Sequence, residues 1–308
     1  MSAWIRCLAA LGLVTSLAAG GQRPRAPRPE PPPKPDAAPQ KLATTHFDLE
    51  FTVPPGVAKG YAALCERAYG RFCDLLNVPD GEVVWEGKCK VLLLATREQF
   101  LRVAVAIAGP AVAMSGGFAR PTKRAPLIVM PLYGQERVRL EQVVIHEMTH
   151  IFLQLYRKEV NLPTWLQEGS AQFFEFMHHA ADSRLKQWQA TVKALVAAGT
   201  ARPLREFWVA SFPPTDRAGY AQAWSLIHYL SQCPKTKGKI GKFVLKLKEL
   251  VPERRGFVHI RSEADLAPAA REAGAKAFAI QADAFQQVFG MTVDDFERSW
   301  QKFVLATY

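Results

Sequence analysis

An α+β fold is what this chain predicts, and three observations predict it. Between residues 45 and 130, short runs of strand character alternate with helical ones. Beyond residue 180 only helical periodicity is left. Between the two regimes lies an apolar segment carrying two histidines and a glutamate at helical spacing. Strand, helix, strand, helix, strand, then helices alone, is the order of a small sheet packed against helices with an all-helical second half.

The elements follow in turn. Residues 46–53 (HFDLEFTV) alternate apolar with polar side chains and stop at Pro54-Pro55-Gly56, a strand running into a turn. Tyr61, Leu64, Cys65, Ala68, Phe72 and Leu75 share one helix face, which residues 77–81 break. Residues 90–95 (KVLLLA) read as a buried strand, Thr96-Arg97-Glu98-Gln99 opens a helix through Ala106, and 109–117 is loop. Residues 126–130 (PLIVM) form the last strand. Helices then follow at 143–154, 162–177, 183–198 (stopped by Gly199), 220–231 and 277–289 (stopped by Gly290). A final helix opens on the capping pair Thr292 and Asp295 and buries Phe296, Trp300, Phe303 and Val304. There is no internal repeat.

The chemistry concentrates in residues 143–154 (VVIHEMTHIFLQ), a helix carrying His146, Glu147 and His150. Side chains four apart on a helix lie one above the other, so the two imidazoles point at one spot. That spacing suits a tetrahedral zinc ion, with Glu147 placed to take a proton from a water on the metal. Zinc hydrolases of this kind use three protein ligands, so a further acidic or imidazole side chain is required nearby. Glu168, early in the next helix, supplies it. The small residues Gly169, Ser170 and Ala171 are expected to let that helix pass close to the first.

HEMTH, followed after a short loop by TWLQEGSAQFFE, resembles the gluzincin metallopeptidases, whose zinc is held by two histidines and a glutamate in a W-L-x-E-G-x-A context. Within that clan the chain most resembles the peptidase MA-like domains of secreted bacterial proteins. The resemblance implies a zincin-like fold, with a small mixed sheet and helices in an upper lobe, an all-helical lower lobe, and the zinc cleft between them. It implies His146, His150 and Glu168 as ligands of Zn2+ and Glu147 as general base. Glu175 matches a second glutamate that aminopeptidase relatives carry on this helix. The chain departs from the thermolysin-like pattern at Gln172, where an aspartate would orient a ligand histidine, leaving that role to Glu175 or a backbone carbonyl. Relatives stabilise the oxyanion with a tyrosine or histidine of the helical lobe. Tyr220, in the stretch GYAQAWSLIHYL, is the residue expected there, with His228 as the alternative. In the family, the strand that matches 126–130 borders the cleft and pairs with an extended substrate.

Residues 1–20 combine one arginine, an apolar run shorter than the roughly 20 residues of a membrane span, and small residues suited to signal-peptidase cleavage. An exported protein with no stable membrane span is expected. Residues 21–41 are proline-rich, without a large apolar run, and read as an extended linker. The folded lobes are then 42–180, carrying both ligand helices, and 181–308. The formal charge is +11, spread along the chain without an aromatic-basic motif, which argues against nucleic acid as partner. The densest basic run, 235–248, reads as a packed helix with a solvated lysine face, because Ile240, Phe243, Val244 and Leu247 recur at helical spacing. Cys65, Cys73, Cys89 and Cys233 permit two disulfides or four free thiols, although Cys65 and Cys73 on one helix would stand about 12 Å apart, beyond disulfide reach. His46, His178, His179 and His259 have no ligand-like context. No motif speaks to an oligomeric state.

The function expected is a secreted zinc peptidase acting on a peptide or protein substrate. Internal cleavage is expected over removal of the amino-terminal residue. No Asp or Glu occurs from Gln99 to Gln135, while Arg120, Lys123 and Arg124 precede the last strand, and such a positive rim repels a terminal ammonium. A non-catalytic scaffold of the same fold is the alternative from a different class; a third reading is a peptidase confined to cell-wall peptides or to one partner.

Overall fold

The structure, a computed structural model, describes residues 38–109, 116–133, 136–179, 181–213, 215–251 and 268–308. The expected signal segment, most of the expected linker and His259 lie outside these residues.

The fold is α+β. Five strands form one mixed sheet: β1 (Gln40–Ala43), β2 (Phe47–Phe51), β3 (Cys89–Leu94), β4 (Phe118–Arg120) and β5 (Leu127–Pro131), in the order β1-β2-β3-β5-β4. The three central strands are parallel, and β1 and β4 close the two edges antiparallel. Parallel neighbours need crossovers, and helices α1 (Pro55–Leu76) and α2 (Arg97–Ala108) provide them. Period-two alternation sorts the side chains of β3 between the faces. Val91 and Leu93 join Phe47, Leu49, Ile128 and Met130 in the main core, whereas Leu92 and Leu94 meet Val129, Phe118 and the α2 residues Phe100 and Ala104 in a smaller one.

Several boundaries differ from the sequence reading. β1 takes up Gln40 and Lys41, which the proline-rich composition assigned to the linker; its antiparallel partner is β2, a short turn away in sequence. α1 starts at Pro55, inside the expected turn, because proline suits the first helical position, where no N–H is needed. It stops at Asn77, whose φ of 51° lies in the left-handed region that asparagine tolerates. The three-residue β4 occupies what read as loop. Consequently β5 is paired on both sides, and the expectation that this strand would face an extended substrate is wrong. Among the described residues, the free edge near the site belongs to β4.

Ten helices are present among the described residues. After α2 come α3 (Arg137–Leu155), α4 (Thr164–His178), α5 (Ser183–Ala197), α6 (Leu204–Phe207), α7 (Arg217–Gln232), α8 (Ile240–Leu250), α9 (Pro268–Phe289) and α10 (Val293–Thr307). α4 runs between α3 and α7. Gly169 sits where a Cβ would come within 2.5 Å of the Ala223 carbonyl oxygen on α7. The small residue therefore permits close approach to α7, not to α3 as the sequence suggested. The apolar core continues from Leu49 through Ile145 and Trp165 to Trp224 and Trp300, so the sheet and the later helices share one interior. The four cysteines among the described residues, Cys65, Cys73, Cys89 and Cys233, are free thiols, with Cys65 and Cys89 buried. No helix among the described residues is long and apolar enough to cross a membrane.

α8 corrects the reading of the basic run. Lys248 is 1% exposed, and its Nζ donates to the carbonyl oxygens of Gln154 (3.0 Å), Tyr156 (2.7 Å) and Lys158 (2.8 Å). Lys158 Nζ in return donates to the carbonyls of Lys248 and Val251. At the C-terminal end of α3 the Lys248 donors meet carbonyls at the negative pole of the helix dipole, those of Gln154 and Tyr156 also accepting from Val160 N and Lys158 N. Periodicity alone put Lys248 with the solvated lysines because it lies beside the apolar stripe; tertiary packing turned it inward.

Candidate metal centre and cleft

α3 presents His146 and His150 one turn apart, with ring centroids 4.7 Å apart and planes crossed at 80°. Their Nε2 atoms converge on one carboxylate of α4: His146 Nε2 lies 3.4 Å from Glu168 Oε2, and His150 Nε2 lies 3.6 Å from Glu168 Oε1. One ligating atom from each of the three residues fits within 4.8 Å of the others, and among the described residues no second His/Cys/Asp/Glu group does so. The sequence thus named all three members.

The residues present fit a divalent cation. Glu168 Oε2 is buried without a hydrogen-bond partner, an orphan that proteins rarely leave. Burial pushes the Glu168 carboxyl up, but the His150 and His146 imidazoles outweigh it and bring it down to about 2. Burial likewise opposes charge on His146, yet Glu168 and Glu175 on its two nitrogens hold its pKa well above the ordinary value. Two nitrogens and one carboxylate oxygen that together call for positive charge are a donor set suited to zinc.

Behind His146 stands a network that the sequence showed only in part. His146 Nδ1 is 2.8 Å from Glu175 Oε1, so Nδ1–H donates to the carboxylate and Nε2, facing Glu168, is the nitrogen that a metal would take. Glu175 is 1% exposed, and its other oxygen accepts from Arg139 Nη1 (3.3 Å) and Arg184 Nη2 (3.2 Å). Arg184 also donates to Asp182 and Gln142, which bond each other. Glu175 therefore takes the orienting role left open by Gln172, whose Nε2 lies 3.4 Å from the same ring nitrogen. Asp182 is the N-cap of α5, where it accepts from Arg184 N. Arg139 and Gln142 lie seven and four residues before His146 on α3, so helical spacing already put them on its face; nothing in the spacing connected Arg184, which α5 brings to them only in the folded chain.

Glu147 is half-buried and has no ion pair or hydrogen bond to another described residue. It lines two halves of an open cleft. The larger, about 930 Å³, is walled by Gly117, Arg139, His146, Trp188, Arg217 and Tyr220 among others. The smaller, about 260 Å³, runs past His150, Gln167 and Glu168 to Ala119 and Pro121 around the β4 edge. Tyr220 is thus brought to the site. Burial, and then the neighbouring Glu168, Asp216 and Glu147 charges, push its phenol far above the ordinary value, so it remains a proton donor. His228 is not brought there: it stacks on Trp224 at 5.2 Å, and its Nδ1 accepts from Tyr308 Oη at 2.7 Å. The helix turned its imidazole into the packing between α7 and α10.

The remaining basic and imidazole groups sort themselves out locally. Lys123 and Arg124, expected on the cleft rim, pair with Glu86 at 3.8 and 3.5 Å, while Arg120 is exposed on β4. His46 bonds Glu66 at 2.6 Å, His178 Nδ1 bonds the Phe174 carbonyl, and His179 lies 3.7 Å from Glu141. No family model matches the chain, and no curated protein is significantly similar to it.

Proposed function

We propose that this protein is a zinc-dependent peptidase of the gluzincin type, built on a zincin-like α+β fold, exported, and acting on peptide or protein substrates. The observation that carries the reading is the convergence of His146, His150 and Glu168 beside a half-buried Glu147 that faces both halves of one cleft. His146, His150 and Glu168 hold the zinc, which when bound acidifies a water and polarises a peptide carbonyl. Glu147 receives the proton of the attacking water on a carboxylate oxygen and passes it to the leaving nitrogen. Tyr220 donates its phenolic hydrogen toward the carbonyl oxygen as negative charge grows there. Glu175, fixed by Arg139 and Arg184, keeps the His146 ring in the orientation and tautomer that ligation needs. The free edge of β4 offers backbone hydrogen bonds to an extended chain.

Cleavage inside a chain fits better than removal of its first residue. Glu175, the carboxylate that matches the aminopeptidase glutamate, is enclosed by His146 and two arginines, so it is not offered to a substrate ammonium.

The test is digestion of a broad peptide library by the purified protein with and without chelator, beside Glu147→Gln. One zinc per chain, chelator-sensitive internal cleavage, and a Glu147→Gln protein that keeps zinc but loses hydrolysis are expected. Wild-type protein that holds zinc and cleaves nothing would instead make it a binding scaffold.

A further inference from the structure

The two halves of the cleft differ in charge. The smaller half has no lysine or arginine in its wall, only the ligand His150. The larger half carries three arginines, one each from α3, α5 and α7: Arg139, Arg184 and Arg217. They are not equivalent. Arg184 is used up internally, with its guanidinium on Asp182, Gln142 and Glu175. Arg139 makes one long contact, 3.3 Å from Nη1 to Glu175, and its side chain is 45% exposed. Arg217 is exposed and has no acidic partner among the described residues. Asp216 beside it is occupied by Arg202 Nη2 at 2.7 Å and by its own cap to Gly219 N. Arg217 stands three residues before Tyr220 on α7, hence on the same helix face, which presents both side chains to the cleft.

From this we infer that the larger half of the cleft is a carboxylate-binding subsite, with Arg217 as its specificity-determining residue and Arg139 as the second donor. The inference rests on the peptidase reading for its substrate class, a peptide carrying a carboxylate on one side of the scissile bond. A guanidinium recognises that group through paired N–H donors in a planar fork, which lysine would not reproduce. The acidic groups that line this half, Glu147 and Glu175, belong to the catalytic and orienting machinery, and Glu175 is already covered by two arginines. The carboxylate has two possible sources, an acidic side chain or the free C-terminus of the peptide.

Zinc-loaded protein is assayed on N-terminally blocked peptides of one length, in two series. One series changes an internal Glu to Gln; the other changes a free C-terminus to its amide. Carboxylate-bearing peptides should be cleaved about tenfold faster in kcat/KM in one series, the size expected of a single charge-assisted contact, and the series that responds identifies the source. Arg217→Gln should bring that ratio close to one, and Arg217→Glu should invert it in favour of lysine-bearing peptides. The same peptides are titrated against Glu147→Gln, with and without Arg217→Gln, by tryptophan fluorescence, since Trp188 lines the same half. Discrimination in binding without any cleavage would overturn the peptidase reading and keep the subsite. Equal treatment of acidic and neutral peptides, or a ratio untouched by Arg217→Gln, overturns the subsite whether or not the protein cleaves.

Discussion

The N-terminal half of α3 and its C-terminal end hold their histidines by different means. Arg139, Gln142 and His146 lie on one helix face, and each is tied to a side chain of α4 or of the α5 N-terminus. His150 has no such partner: among the described residues its only polar contact is with Glu168. Past it, the helix end is held through backbone carbonyls, by Lys248 of α8. One imidazole is oriented by a buried charged network, and the other by the position of the helix that carries it. The difference teaches that the two imidazoles depend on different parts of the tertiary structure, and substitution can separate them.

The largest effect should come from the residue that both histidines share. Glu168→Ala removes the proposed third ligand outright, so zinc affinity should fall by more than about a hundredfold, beyond the range for losing an orienting partner. Circular dichroism should stay close to wild type, because Glu168 contributes no packing that the core needs. Full zinc occupancy in that protein would mean the third ligand is misassigned.

Next comes the front of the His146 half. Tyr220→Phe should leave zinc bound and lower turnover by about a hundredfold, the magnitude for removing one oxyanion donor. If the rate is unchanged, the donor is another group.

Breaking the network behind His146 is expected to cost less. Glu175→Gln should weaken zinc by about 10- to 100-fold, since an amide orients the ring poorly and leaves Arg139 and Arg184 without their carboxylate. Metal competition against a chromogenic chelator measures it. An effect under twofold would show that His146 is oriented by its helix alone, as His150 is, and the contrast between the two would disappear.

Lys248 sharpens the comparison from the other end. Burial pushes its ammonium down from 10.5 to about 7. The unfolded chain, with the ordinary value, therefore binds the additional proton between those limits. Stability should rise with pH across that window, with the full penalty of burying this ammonium present below it and no further pH dependence from this group on either side. Lys248→Met should flatten the rise and, by removing the side-chain donor of the Lys158 carbonyl and the second donor of the Gln154 and Tyr156 carbonyls, cost about 1–3 kcal/mol at pH 7, while changing zinc affinity less than Glu175→Gln does. Urea denaturation of both proteins across that range checks the claim, and parallel pH profiles would refute it.

What the sequence determined by itself follows from local rules. His146, Glu147 and His150 share a face because a helix repeats every 3.6 residues, and that repeat is written in the spacing. The central strands, the helix at Thr96 and the capped helix at Thr292 were legible for the same reason, since caps and periodicity act within a few residues. Glu168 was legible because its helix follows the first after a short loop. What only tertiary structure decided involves groups far apart in the chain. β4 was hidden because a three-residue edge strand is defined by its partner β5, not by its own pattern. Lys248 became a helix cap and His228 a packing residue through neighbours about ninety and eighty positions away along the chain. Gly169 serves α7, and Arg217 reaches the cleft, only because α4 and α7 pack together. Spacing fixes which side chains share a face; the long-range packing of apolar surfaces fixes what each face meets.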